Sequence, residues 1–241
     1  MQATMYVALS GQIALERRME TVARNVANIS TAGYRSDEVK FETVLSQAGR
    51  DKVAFATAGE TFISRQAGSL THTNNMLDFA VDGDAWFAIQ GENGPAYTRD
   101  GRMSIDVLGG LRTIAGLPVL DAGLAPIQLD PAGGQPLVSR DGMITQDGEQ
   151  IAAIGLFRID NAAKLTRHGN SAVIPSIPAE AVIDFGTTGV VQGYVEGSNV
   201  NPMWEMTKLI SVSRAFQSAS TAISDAERTQ QDAIRTLGDT R

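Results

Sequence analysis

The chain has 241 residues, 43% of them hydrophobic, with a formal net charge of −7 and no cysteine. That charge argues against a nucleic-acid partner, which would need clustered Lys and Arg. The missing cysteine excludes disulfides, thiolate metal sites and cysteine nucleophiles. No apolar run reaches the ~20 residues that span a bilayer. The chain does not open with a basic region followed by an apolar stretch, so no cleavable secretory signal is expected, and any export would use a route that does not read one.

The first element is a helix. Met5, Ala8, Gln12, Leu15, Met19, Val22, Val26 and Ile29 step by three and four, with Gln12 the polar member, and Gly33 closes the segment. This is the spacing of a heptad seam. Glu16, Arg17, Arg18, Glu20 and Arg24 flank the seam, leaving an apolar stripe narrower than that of an ordinary core-facing helix. Residues 1–33 are therefore read as one helix of a stem.

Residues 34–76 read as an extended or hairpin connector. Val39, Phe41, Val44 and Leu45 are its first anchors. Val53–Thr57 and Thr61–Arg65 read as strands with Gly59 at their turn. Residues 77–197 read as an all-β domain. Leu77–Val81, Ala85–Ile89 and Ile154–Ile159 are strand-like runs, and glycine and proline punctuate the segment at turn-like spacing. Thr98-Arg99-Asp100-Gly101 is echoed by Ser139-Arg140-Asp141-Gly142. Asp-Gly favours the positive φ angles of a tight hairpin, so two similar hairpins are expected.

Residues 198–241 form the second stem helix. Leu209, Val212, Phe216, Ala219, Ile223, Ala226, Gln230, Ala233 and Leu237 repeat the three-four spacing, with Gln230 the polar member. Asn201 is placed to cap this helix, with Pro202 at the first helical position, Glu205 near its positive end, Arg235 in its last turn and Gly238 at its end. A helix from Asn201 to Leu237 would be about 54 Å long at ~1.5 Å per residue, longer than a small domain is wide. The fold class expected is α+β, with long N- and C-terminal helices pairing as a coiled-coil stem and an all-β middle domain. Two surface helices packed on one globular core are the competing reading.

Catalytic constellations are missing. His72 and His168 lie in different segments, without a second ligand at metal spacing. No nucleophile elbow or phosphate-cradling loop occurs. Asp82 and Asp84 flank a turn-like Gly83, which separates the carboxylates, and the Asn28-Ile29-Ser30 sequon sits at a helix end. Trp86 and Trp204 read as core or interface anchors. No catalytic, cofactor-binding or metal residue is expected, nor any cofactor or small-molecule substrate.

Four blocks carry a family resemblance. They are Leu9-Ser10-Gly11 with Val22–Arg35, Gly68–Asp78 with Ala80–Asp84, Tyr97–Gly101, and Gln192–Asn201 with Glu205-Met206 and Leu209-Ile210. In this order they resemble the bacterial flagellar rod and hook proteins. Ala85-Trp86-Phe87 departs from the pattern, which usually has glycine before the aromatic pair, and this puts a local turn in question. The length suits a proximal rod subunit. Hook proteins are normally longer, and the distal rod protein usually carries a longer insertion after the first helix.

The resemblance implies a structural subunit of the basal-body rod, exported unfolded without a cleaved signal and polymerised helically into a periplasmic drive shaft. Its partners would be itself, other rod subunits and the flagellar export apparatus. The assembly interface expected is Met5, Leu15, Met19, Val22, Val26, Ile29, Leu209, Val212, Phe216, Ile223 and Leu237. Two other classes of function remain open: a coiled-coil adaptor displaying a β domain, and an enzyme on that domain. Fibre-like assembly would exclude the adaptor, and a cleft with coupled, perturbed carboxylates would reveal the enzyme.

Overall fold

Asn201 starts the C-terminal helix as its sequence position predicts. Its side-chain oxygen accepts a hydrogen bond from the Trp204 N–H at 3.2 Å, satisfying one of the amides that a helix start leaves open. In this computed structural model residues 2–46 and 53–238 are described, and within them the side chains of residues 2–7, 41–46, 53–58, 230, 237 and 238 lie outside the description. The chain divides into two units, residues 1–27, 37–62 and 201–241 forming one and residues 28–36 and 63–200 the other.

The first unit contains helix α1 (Gln2–Ala27), strands β1 (Asp37–Ser46) and β2 (Val53–Ile63), and helix α2 (Pro202–Gly238). The helices pack against each other. Asn25, near the end of α1, donates to Glu205 in the first turn of α2 at 3.4 Å, so the helices run antiparallel. α1 also packs on β1. The Asn25 side-chain amide bridges the Asp37 backbone in both directions, donating to its carbonyl at 2.9 Å and accepting from its N–H at 2.9 Å. Arg24 pairs with the Asp37 carboxylate at 3.2 Å. The strands β1 and β2 form a two-stranded sheet. The expected turn at Gly59 is replaced by continuous strand, because the pairing partner of Val53–Ile63 is Asp37–Ser46.

Both ends are helical, but the expected coiled-coil stem is not what they form. A coiled coil needs the two seams to bury each other along their lengths. The most buried side chains of α1 are Ala14, Thr21, Val22 and Asn25; two of them are polar, and only Val22 belongs to the predicted seam. Of these, Asn25 reaches both α2 and β1. On α2, Val212 is buried, Phe216 and Ile223 are half-buried, and Ala226 and Ala233 are exposed. α2 also outruns its partner, with 37 residues against 26. Ile29, read as the last seam position, lies past the end of α1.

The second unit holds β3 (Leu70–His72), β4 (Phe79–Asp82), β5 (Trp86–Gly91), β6 (Gly94–Thr98), β7 (Met103–Ile105), β8 (Leu111–Thr113) and β9 (Leu137–Val138). It continues with β10 (Met143–Gln146), β11 (Glu149–Ala153), β12 (Leu156–Arg158), β13 (Leu165–His168), β14 (Ala172–Pro175), β15 (Glu180–Ala181), β16 (Gly189–Gln192) and β17 (Tyr194–Glu196). The central sheet has the order β13-β14-β6-β5-β12-β15, and β5 is buried on both faces. Phe87 and Ile89 enter one apolar cluster with Phe79, Leu111 and Leu156. Trp86 and Ala88 enter another with Tyr97, Phe157 and Val173. Successive side chains of a strand point to opposite faces, so a strand between two cores is apolar throughout. Ala85 is fully buried, and the adjacent turn falls to Gly83 at φ 106°, so the departure from the family pattern costs the fold nothing here.

The two expected Asp-Gly hairpins part company. Asp141-Gly142 does turn β9 into its antiparallel neighbour β10, with Gly142 at φ 83°. Asp100-Gly101 joins strands that belong to different sheets, and Gly101 is not among the positive-φ glycines. Glycine is needed there for close approach, since a Cβ would lie 1.7 Å from the Phe79 carbonyl oxygen. A turn with positive φ at both centres occurs one hairpin later, where Asp147 and Gly148 (φ 51° and 87°) connect β10 to β11.

Candidate assembly residues and a buried charge cluster

The residues expected to carry assembly are spread along the first unit. Val22 and Val212 are buried; Leu15, Met19, Val26, Leu209, Phe216 and Ile223 are half-buried. Met5 and Leu237 fall within α1 and α2, but their side chains lie outside those described. Ile29 is half-buried in a turn of the other unit. The helices also expose apolar residues that the seam reading passed over. Leu9 and Ile13 are exposed on α1, and Met203, Trp204, Met206 and Ile210 on α2.

The second unit contains a feature that residue-by-residue reading missed. Residues 70–82 and 189–196 pair antiparallel, with Val81 opposite Val190 and Thr71 opposite Val195. Gly193, at φ 80°, sits between the two pairings, and its N–H donates to the Asp78 carbonyl at 2.8 Å. This ribbon carries Glu196 beside the segment 28–36, where the Gly33 N–H donates to the Glu196 carbonyl at 2.8 Å. The Glu196 carboxylate then meets Arg35 at 2.7 Å and Arg99 at 3.2 Å. It also accepts the Gly68 N–H at 3.0 Å.

Two guanidinium groups thus share one carboxylate out of water. Arg99 also donates to the carbonyls of Val81 at 3.1 Å and Gly83 at 2.6 Å. Arg35 donates to the carbonyls of Arg65 and Gln66. Both cations lie over the Trp86 ring, 5.5 and 5.4 Å from its centroid, where the negative π face partly offsets the excess positive charge. The Nε atoms of both arginines make no hydrogen bond among the described residues. Burial lowers the Arg35 pKa to about 10 against the opposing pull of Glu196, and burial lowers that of Arg99 as well. Arg35 at about 10 remains a cation at neutral pH. The legible signal was that Arg35, Arg99 and Glu196 each fall within one of the quoted motif blocks.

Among the described residues no group of His, Cys, Asp and Glu could hold a metal ion, and no helix is long and apolar enough to cross a membrane. His72 packs at a tilt against Tyr194, with ring centroids 4.7 Å apart, and Asp82 pairs with Arg140 at 3.3 Å.

Comparison with known proteins agrees with this arrangement of ends and middle. Residues 5–35 match the flagella basal body rod protein family, residues 80–149 the flagellar hook protein FlgE/F/G D1 domain, and residues 191–236 the flagellar basal body rod FlgEFG protein C-terminal family. A flagellar basal-body rod protein FlgF of Mesorhizobium japonicum is 48% identical over 99% of both chains. The chain belongs to the flagellar basal-body rod protein family. The FlgF of Rhizobium meliloti is 47% identical over the full length of both chains, whereas the FlgG of Bacillus subtilis is 29% identical over 97% of this chain and 98% of its own. The likeness is thus stronger to these FlgF chains. Each of the three matched segments of this rod protein supplies part of the buried cluster: Arg35 from the first, Trp86 and Arg99 from the second, and Glu196 from the third.

Proposed function

We propose that this chain is a structural subunit of the proximal rod, polymerising into the shaft that carries torque from motor to hook. The observation that carries the reading is its end-to-end relation to rod proteins named FlgF at 47–48% identity. The β unit has a core of its own, while the terminal helices leave Leu9, Ile13, Met203, Met206 and Ile210 uncovered, as a subunit that meets neighbours would. A contact between different faces of like subunits does not close, and so generates a helical assembly.

In this reading the half-buried Leu15, Met19, Val26, Leu209, Phe216 and Ile223 complete their burial against neighbouring subunits, which Met5, Ile29 and Leu237 also meet. Val22 and Val212 hold the helices of one chain together. The partners are other copies, other rod subunits and the export apparatus, through which the chain passes unfolded and without a cleaved signal to reach the periplasm. The lack of cysteine suits such a passage, because no disulfide has to be opened. The role is mechanical rather than catalytic, with no cofactor, nucleic acid or small-molecule substrate.

Imaging purified basal bodies with this chain labelled tests the reading. The label is expected along the rod, on the motor side of the hook. A label confined to the hook, or absent from basal bodies of cells that produce the chain, would overturn it.

A further inference from the structure

The terminal helices carry a second pair of apolar strips, distinct from the predicted seams. On α2, Met203, Met206 and Ile210 follow one helix face and are 79%, 51% and 55% exposed. Ile210 and the buried Val212 are two residues apart, so at 3.6 residues per turn they point to nearly opposite sides. On α1, Leu9 and Ile13 are one turn apart and 49% and 45% exposed. Each strip leads to an exposed charge of opposite sign, Glu20 on α1 and Arg214 on α2. Neither charge makes an ion pair among the described residues. Leu9 and Glu20 are eleven positions apart, and so are Met203 and Arg214. Eleven residues make close to three full turns, so in each helix the charge lies on the same side as the start of the strip.

We propose that α1 of one copy docks in parallel on α2 of the next, setting Leu9 against Met203, Ile13 against Met206, and Glu20 against Arg214. This contact rests on the rod reading and specifies one of its surfaces. The occupant is a second copy of this chain, because the complementary strip and the complementary charge are both present on it. The two strips differ, so the contact is head-to-tail and leaves a free strip at each end. Five half-exposed side chains cover a few hundred Å², well below the ~1,200–2,000 Å² of a stable dimer. The contact therefore forms in the assembled rod and not between dilute chains.

The natural lack of cysteine allows a direct test. Cells are made to produce Ile13→Cys and Met206→Cys as two separate copies of the chain and are treated with a mild oxidant. A covalent dimer of twice the chain mass is expected in cells making both, and none in cells making either alone. Motile cells that make both copies and give no dimer, or only an adduct of another mass, would overturn the contact. If the cysteine copies fail to support swimming, charge reversal decides. Arg214→Glu should abolish swimming while leaving the helical signal of the purified chain unchanged, and adding Glu20→Arg should restore at least half the wild-type swarm diameter. No recovery in the double variant sinks the proposal. A label that still marks the rod in any failed case shows that the rod reading stands and only this surface is wrong.

Discussion

Arg35 and Glu196 meet at 2.7 Å with both side chains 1% exposed, and the same carboxylate also holds Arg99. One anion therefore faces two buried cations, which makes the cluster asymmetric to mutation. Glu196→Gln keeps the shape but strands both guanidinium groups, and it should cost about 3–5 kcal/mol of stability. Arg35→Met leaves Glu196 paired with Arg99 and should cost less. Arg140→Ala removes an exposed partner of Asp82 and should stay within about 1 kcal/mol of wild type. Urea unfolding of the purified chain ranks the three. A Glu196→Gln midpoint equal to that of Arg140→Ala would show that the cluster does not hold the β unit.

Trp86 and Trp204 report on different environments. Trp86 is 2% exposed and Trp204 is 62% exposed. Acrylamide should quench the fluorescence of the dilute chain in two populations, and Trp204→Phe should leave only the shielded one. Trp86→Leu should lower the unfolding midpoint beyond the loss of apolar area alone, because two cations lose the π face beneath them. Equal quenching of both indoles would contradict the burial of Trp86.

Local chemistry in the sequence was readable where its consequence is local. Asn201 caps α2, and Trp86–Ile89 of the expected run lies in a strand, because a cap needs only its own turn and a doubly buried stretch is apolar on both faces. Pairings across the chain were not readable in that way. Arg35, Arg99 and Glu196 stand in separate motifs, and nothing in any one motif names its partner. The heptad spacing identified a helix face but could not give the length over which a partner covers it. Val212 and Ala233 occupy the same predicted seam, yet only Val212 is buried. Likewise, Asp141-Gly142 and Asp100-Gly101 look alike in sequence, and the difference lies in which strands pair on either side.

Gly33 combines two constraints that a substitution separates. Its φ is +65°, and a Cβ would lie 2.2 Å from the Asp100 backbone nitrogen. Gly148 has φ +87° but nothing within 4 Å of a Cβ. Gly148→Ala should cost only the left-handed backbone penalty, about 1–2 kcal/mol. Gly33→Ala must also displace the backbone, and with it the hydrogen bond to the Glu196 carbonyl, so its melting temperature should fall further. Equal melting temperatures would show that the segment around Gly33 adjusts freely.

The graded burial of α2 predicts a graded response to charge along one face. Val212 is 2% exposed, Ile223 is half-buried and Ile234 is 64% exposed. An aspartate at 212 places an unpaired carboxylate between the helices and should release them from each other, since an isolated helix gains little stability without tertiary packing. Amide exchange throughout α1 and the first half of α2 should then become fast in the purified Val212→Asp chain. Ile223→Asp should leave that exchange and the melting of the β unit intact, because Ile223 keeps partial access to water. Its effect is expected in the assembled state, as cells that make the protein but do not swim. Glu227→Ala, exposed on the same helix, should swim normally. Normal swimming by Ile223→Asp would remove this stretch of α2 from the assembly interface. Collapse of the β unit in the same variant would mean that the helix is part of a single globular core.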